Sequence, residues 1–522
     1  MVVTFFMGRM AHSADAINNI SPIASLDHSV RGCRRFRHLP HPRRANRVVS
    51  RRRIYTCPLD QFTDSKHGSD NMRTLAILVG MGCSLHAMGQ DLRQPRSNQP
   101  VTFAYNDYYQ QAQPSPSDLR IESLDGLSKN LAGKNMGKRG KAKRSAGWLG
   151  DRWTMTGFID LGGTVNADNP TNRFNGPMTF NDRDDFTMNQ MVLSLGREAD
   201  NGGCGFDWGA RIDVLYGTDY IFTQSVGLEL KDDGDNAWNG LTSGLENPNL
   251  YGLAMPQVYV DLAYNKLNFR LGHFYTIMGY EVVAANNNFF YSHAYTMQYG
   301  EPFTHTGGLM SWSGDRLTVH AGVVNGWDKT DALTDKMAFL GGVSFTPCDE
   351  RYSLTWTVIS GEEDGTSPAL APPATSPRHA YSLAFDYHIS NRLEYVFQHD
   401  YGRQHDALGP NVDAEWYGIN QYLFYRLNDC WKVGARFEWF RDDDGVRINS
   451  MFVRNGGLGT LAASMAGNYY NFTAGANWTP CSNIVVRPEV RWDWSDGTIF
   501  APFDDLSSDS QFTAAIDAII TF

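Results

Sequence analysis

The stretch Phe206-Asp-Trp-Gly-Ala-Arg-Ile-Asp-Val-Leu-Tyr216 separates into two chemically distinct sets when every second residue is taken. Phe206, Trp208, Ala210, Ile212, Val214 and Tyr216 form one set; Asp207, Gly209, Arg211, Asp213 and Leu215 form the other. Successive side chains of a strand point to opposite faces, so one face here is apolar and the other largely ionic. A helix, with its 3.6-residue period, would mix the two sets. In 431–439, Trp431, Val433, Ala435, Phe437 and Trp439 likewise oppose Lys432, Gly434, Arg436 and Glu438. In 484–494 the polar face is Arg487, Glu489, Arg491 and Asp493.

Working outward from these segments, sixteen such runs follow one another: 152–165, 187–197, 205–216, 256–264, 267–275, 304–313, 316–325, 338–346, 351–360, 379–388, 392–401, 415–426, 430–441, 468–478, 483–493 and 511–522. Connections after even-numbered runs are short, as at Asn265-Lys266 and Gly314-Asp315. Those after odd-numbered runs are long, from about a dozen residues (326–337) to nearly forty (217–255). Bacterial outer-membrane barrels carry short periplasmic turns and longer external loops, so the alternation predicts an all-β, transmembrane, antiparallel up-and-down β-barrel of about sixteen strands over residues 151–522. An even count places both ends of the barrel on the periplasmic side. The last run ends Ala518-Ile-Ile-Thr-Phe522, with Phe512, Ala514, Ile516, Ala518, Ile520 and Phe522 on one face. A terminal aromatic on such a strand resembles the signature that barrel-insertion machinery reads. Trp153, Trp208, Trp327, Trp356, Trp416, Trp431, Trp439, Trp478 and Trp494 lie near run ends, where amphipathic rings favour the headgroup level.

Composition agrees with this reading. No run of 18 apolar residues occurs in the 522-residue chain, which excludes a helical span but not a barrel, where only alternate residues meet lipid. Residues 1–71 hold 12 Lys/Arg and 5 Asp/Glu, a net of +7; the whole chain is −10, which leaves −17 for residues 72–522. An acidic bulk argues against a nucleic-acid partner. Seven cysteines are too few for a disulfide scaffold at this length.

Residues 72–89 read as a signal peptide: Arg73, a short apolar run from Leu75 to Leu85, and small residues at Ala87 and Gly89 before Gln90. Cys83 offers a weaker lipoprotein alternative, with Gly80 in place of the usual Leu. Residues 1–71, with Arg34-Arg35, Arg43-Arg44 and Arg51-Arg52-Arg53, read as a misassigned start or a disordered N-terminal extension. Residues 90–150 read as a periplasmic linker, polar through Pro114-Ser115-Pro116-Ser117 and basic from Lys134 to Arg144. The basic run is either a solvated tail or a contact for an anionic polymer or lipid.

The segment Asn288-Phe-Phe-Tyr-Ser-His-Ala-Tyr-Thr-Met-Gln-Tyr-Gly-Glu-Pro-Phe-Thr-His-Thr-Gly307 is the most specific point at which residues 150–522 resemble the OmpL-like family of beta-barrel porins. Phe269-Arg-Leu-Gly-His-Phe-Tyr275 and Val323-Val-Asn-Gly-Trp327 support it. The resemblance implies a porin of the bacterial outer membrane and brings no catalytic residues and no cofactor.

Sixteen strands leave an aqueous channel, so the inward face sets selectivity. The inward acids are Asp160, Asp207, Asp213, Asp261, Asp386, Glu394, Asp400, Glu438, Glu489, Asp493 and Asp517; the inward bases are Arg211, Arg270, Lys432, Arg436, Arg487 and Arg491. Eleven acids against six bases predict a mild cation preference. The late cluster of Lys432, Arg436, Arg487 and Arg491 either sets a transverse field against the acidic wall or pairs across strands and stiffens the barrel. The loop 276–303, through Asn288, Phe289, Phe290, Tyr291 and His293, is a candidate constriction. It could equally cap the barrel outside or meet a second copy of the chain. The runs Asp232-Asp233-Gly-Asp235 and Asp442-Asp443-Asp444-Gly445 lack EF-hand spacing and read as solvated loops. Cys204, Cys348, Cys430 and Cys481 fall in periplasmic turns, with a Cys430–Cys481 bridge allowed in an oxidising compartment. No metal set is evident, and no GxSxG or HExxH motif suggests an enzyme. The leading reading is passive diffusion of small hydrophilic solutes or ions. The alternative is a plugged barrel acting as an outer-membrane anchor or adhesin.

Overall fold

In lipid every backbone N–H and C=O needs a partner within the protein, and a sheet meets this only by closing on itself. The computed structural model of the chain describes residues 152–522 apart from 172, 179, 231–249, 332–335, 365–374, 449–464 and 500. The signal segment, the upstream extension, the linker and the Asp232–Asp235 run lie outside the described residues.

The strands are β1 (Thr154–Asn166), β2 (Phe186–Arg197), β3 (Phe206–Gly217), β4 (Gly252–Tyr264), β5 (Leu267–Tyr275), β6 (Thr304–Ser313), β7 (Leu317–Val324) and β8 (Ala338–Phe345). They continue as β9 (Tyr352–Asp364), β10 (Thr375–His388), β11 (Leu393–Gly409), β12 (Val412–Arg426), β13 (Trp431–Asp442), β14 (Gly467–Cys481), β15 (Ile484–Asp496) and β16 (Ser510–Thr521). Each pairs antiparallel with its sequence neighbours, and β1 pairs with β16 from Phe158↔Thr521 to Asn166↔Thr513, which closes a sixteen-stranded barrel. The apolar face points outward: in β3, Phe206 is 65% exposed and Ile212 45%, while Asp213 is 2%. Large apolar side chains left in contact with the surroundings over so many strands are what hydrocarbon, not water, accommodates.

Three expectations need correction. The connection after the eleventh run is not a dozen-residue loop, because β11 and β12 continue as a hairpin joined only by residues 410 and 411. Beyond the lipid, the outward face has no reason to be apolar, so Arg403, His405, Asp413 and Glu415 hide the strand period there. Trp327 and Trp416 are not girdle residues. They are 5% and 0% exposed, pack edge to face with ring centroids 6.0 Å apart, and belong to the interior cluster. Asp442 is not solvated either: it is fully buried and accepts from the N–H groups of Val446 (3.2 Å), Arg447 (2.9 Å) and Ile448 (2.9 Å), folding the start of the loop that follows β13.

Candidate functional site

The β5–β6 connection, residues 276–303, lies inside the barrel. Most of it is buried, including Phe290, Tyr291, Ser292, His293, Ala294, Tyr295 and Thr296. It is irregular apart from a short 3-10 turn at Ala285–Asn287 and one π-helical turn at Thr296–Gly300. Irregular backbone away from water must find its hydrogen bonds elsewhere. Here the wall of the barrel supplies them.

Two inward glutamates, on β13 and β15, each receive a pair of successive loop N–H groups. Glu489 accepts from Tyr291 N (2.9 Å) and Ser292 N (3.1 Å). Glu438 accepts from Tyr295 N (2.7 Å), Thr296 N (2.6 Å) and the Thr296 hydroxyl (2.7 Å). Three arginines take the loop carbonyls. Arg487 donates to Ala285 O (2.9 Å), Asn288 O (2.8 Å) and Phe290 O (3.0 Å). Arg436 reaches Ser292 O (2.8 Å) and Arg491 reaches His293 O (2.6 Å). Charged partners roughly double the strength of such bonds, and alternating signs match the alternating donors and acceptors of a peptide backbone. Three strands round the barrel from β15, on β2, Gln190 accepts from Ala285 N (3.0 Å) and donates to Val283 O (2.6 Å), while Asn189 meets the Tyr291 hydroxyl at 3.0 Å.

The wall is also cut to admit the loop. Gly418 on β12, Gly434 on β13 and Gly475 on β14 all point inward. A Cβ at Gly418 would collide with Thr296 and one at Gly434 would lie 2.6 Å from Phe289. Phe289 packs instead tilted against Phe424 (4.7 Å) and edge to face with Phe290 (4.8 Å), and Lys432 sits over Phe424 at 4.5 Å. Asn288 ties the loop to itself, accepting from Val282 N (2.9 Å) and donating to Ala284 O (3.1 Å).

Glu281, which composition did not single out, is the loop's own anchor. Arg436 is 2.7 Å away, His293 Nδ1 3.2 Å, and Ala294 N donates at 2.8 Å. Burial pushes its carboxyl up, yet Arg436 and the His293 and Ala294 contacts outweigh burial and hold it below the usual carboxylate range. Burial lowers His293 in spite of Glu281. Glu301 goes the other way: burial first, then the Asp400 carboxylate beside it, pushes it well up, with Gln398 donating at 2.5 Å.

Each of the six inward bases read from the sequence faces a carboxylate. Arg211 lies 2.8 Å from Asp213, Arg270 2.9 Å from Asp261, and Lys432 3.0 Å from Glu394. Arg491 is 2.7 Å from Asp493, Arg436 is paired with Glu281 as above, and Arg487 contacts Asp517. Asp207 sits at the periplasmic rim with Arg197 at 3.1 Å and Arg152. Asp160, Asp386 and Asp400 are buried on the inward face. The late basic cluster is therefore neither a bare charged wall nor a set of cross-strand pairs alone, because three of its four members grip the loop. Cys204, Cys430 and Cys481 are disulfide-bonded, whereas Cys348 is an exposed free thiol.

Residues 152–522 match the family described as "Putative beta-barrel porin-2, OmpL-like". Among solved structures, the outer membrane channel DcaP of Acinetobacter baumannii aligns at 13% identity over 71% of this chain and 97% of its own, with a TM-score of 0.45. The trimer form of OmpT, an outer membrane protein of Vibrio cholerae, aligns at 11% identity over 71% and 100%, TM-score 0.46. An anion-selective porin from Comamonas acidovorans aligns at 9% identity over 71% and 99%, TM-score 0.44. No curated protein sequence matches the chain.

Proposed function

The chain belongs to the OmpL-like beta-barrel porin-2 family and is a channel protein of the bacterial outer membrane, and from that premise we propose that it passes small hydrophilic solutes or ions by passive diffusion, with loop 276–303 as the eyelet. The observation that carries this reading is the grip of Glu438, Glu489, Arg436, Arg487 and Arg491 on consecutive backbone groups of one loop. A loop fixed in this way narrows the passage to a defined size; its half-buried Asn288 and Phe289 become the surface that a solute meets, while the buried Phe290, Tyr291 and His293 hold that surface against the wall. With those six bases paired, the surplus among the inward charges read from the sequence lies with the carboxylates of Asp160, Asp386, Asp400, Glu438 and Glu489, which supports a mild cation preference.

Planar-bilayer recording tests both parts. Discrete conductance steps with a reversal potential favouring potassium over chloride in a salt gradient are expected; a chloride preference refutes the selectivity assignment.

The second reading, a plugged anchor or adhesin, is favoured by the burial of the wall charges, since Arg436, Glu438 and Asp493 are each 0% exposed. Liposomes carrying the folded protein separate the two: swelling in small sugars supports the channel, and no swelling together with no conductance supports the anchor.

A further inference from the structure

Near the periplasmic end of the barrel, two strands from the arginine cluster, the inward face of β10 presents Asp386 and His388, and β11 presents Glu394. Asp386 and His388 are two apart on one strand and so share a face. The register pairs His388 with Glu394, directly across the short turn at 389–392. One ligand atom from each of the three lies within 4.8 Å of the other two. Two carboxylates and an imidazole are thus gathered at one point of the lumen wall.

A second observation shows that this is more than a crowd of acids. Asp386 is only 5% exposed, and its Oδ1 is buried with no hydrogen-bond partner among the described residues. A buried carboxylate oxygen left unmatched costs free energy that a bound cation would recover. Lys432 lies 3.0 Å from Glu394 and its charge also reaches Asp386, yet it donates no hydrogen bond to the unmatched Asp386 oxygen.

We infer that Asp386, His388 and Glu394 form a binding site for a divalent first-row transition-metal ion on the lumen wall. Imidazole selects such ions over calcium or magnesium, which prefer all-oxygen sites. Three protein ligands leave further coordination positions open, so the ion faces the lumen and can exchange with water or solute there. The assignment does not depend on whether the barrel conducts, because binding is read on the closed, folded protein.

The test uses the full-length protein folded in detergent and dialysed against Zn2+, with bound metal measured by mass spectrometry. One equivalent of Zn2+ per chain is expected. His388→Gln and Asp386→Asn should each weaken binding about tenfold or more, the range seen even for residues that merely support metal ligands. Titration with Co2+ should give visible ligand-field bands that His388→Gln abolishes. Heat-modified migration on gels confirms the fold of each variant, and the two substitutions act independently, so one folded variant suffices. Absence of a stoichiometric Zn2+ site in the unaltered protein, or undiminished binding by a folded variant, overturns the inference.

Discussion

Two connections leave the barrel on the same side and behave in opposite ways. The β5–β6 loop turns into the lumen and is buried there, whereas β11 and β12 run on outward and meet at residues 410 and 411. In the hairpin the two strands satisfy each other, with a register that continues through Arg403↔Glu415 and Gln404↔Ala414. Its charges pair along an exposed flank, Arg403 with Glu415 at 3.3 Å and His405 with Asp413 at 3.2 Å. The inward loop has no ladder of its own. It is apolar where it packs, at Val283, Phe290 and Met297, and it borrows hydrogen bonds from ionised groups of the wall. The difference teaches that a connection enters a barrel when the wall offers charges spaced like a peptide backbone, and stays out when the connection can pair with itself.

The largest blow to this comparison should come at Arg436. It joins Glu281, Ser292, Asn471 and Thr473 from a fully buried position. Arg436→Met leaves Glu281 buried without its cation, which costs about 3–5 kcal/mol when a buried pair is broken from one side. The loop is expected to leave the wall, with higher single-channel conductance and faster amide exchange across 281–296. Wild-type conductance and exchange in this variant would mean that the wall does not hold the loop.

A more local loss is expected from Glu438→Ala. Two buried N–H groups, those of Tyr295 and Thr296, lose their acceptor, at roughly 1–3 kcal/mol each. Exchange should accelerate at those amides and spare Tyr291 and Ser292, which Glu489 still holds. Glu438→Gln, keeping one acceptor oxygen, should fall between. Uniform acceleration along the loop would show that it moves as one body rather than bond by bond.

Glu301 gives a pH-dependent version of the same test. Its carboxyl is pushed well above the usual carboxylate range in the docked loop, by burial and then by Asp400. A group raised in the docked state stabilises docking below its free value, and that contribution fades as pH rises toward the raised one. Conductance of the unaltered protein should therefore increase on going from pH 4.5 to neutral. Glu301→Gln removes this slope while leaving His293 in place, so the difference between the two profiles belongs to Glu301. Parallel profiles would remove Glu301 from the docking equilibrium.

The barrel was legible because the membrane imposes a two-residue period, and each of the sixteen runs read from Trp153 onward corresponds to a strand. The period fades where lipid ends, which is why the outer reach of β11 and β12 has the sequence pattern of a loop. The inward register was legible for the same reason: Asp213, Arg270, Arg436 and Glu489 stand where alternation puts them. Their partners were not. Nothing local to Glu281 marks it as the counter-ion of a residue 155 positions away, and nothing local to Ala285 marks its carbonyl as a ligand of Arg487. A weak signal did exist in Gly418, Gly434 and Gly475, inward glycines on three consecutive strands, since a wall meeting only water has no need of such a recess. The Asp386, His388 and Glu394 set was equally readable in principle, as a two-residue step followed by a short turn, but it emerges only once the register of β10 on β11 is known.

The smallest expected effect sets the baseline for all the others. Asp413 on the hairpin contacts Arg403 and His405, and Asp406 N donates to it at 3.0 Å, a set of contacts that on paper rivals those of Glu438. The surroundings differ. Arg403 is 40% exposed at its side chain and Asp413 27%, so water replaces each lost contact, and exposed ion pairs contribute little. Asp413→Asn is therefore expected to leave conductance, reversal potential and heat-modified migration as in the unaltered protein. Should it open the channel as Arg436→Met does, the hairpin and the loop would be coupled, and the contrast between a self-paired connection and a wall-held one would have to be abandoned. If it does nothing, the effect at Arg436 is attributable to burial against the loop rather than to the loss of an ion pair as such.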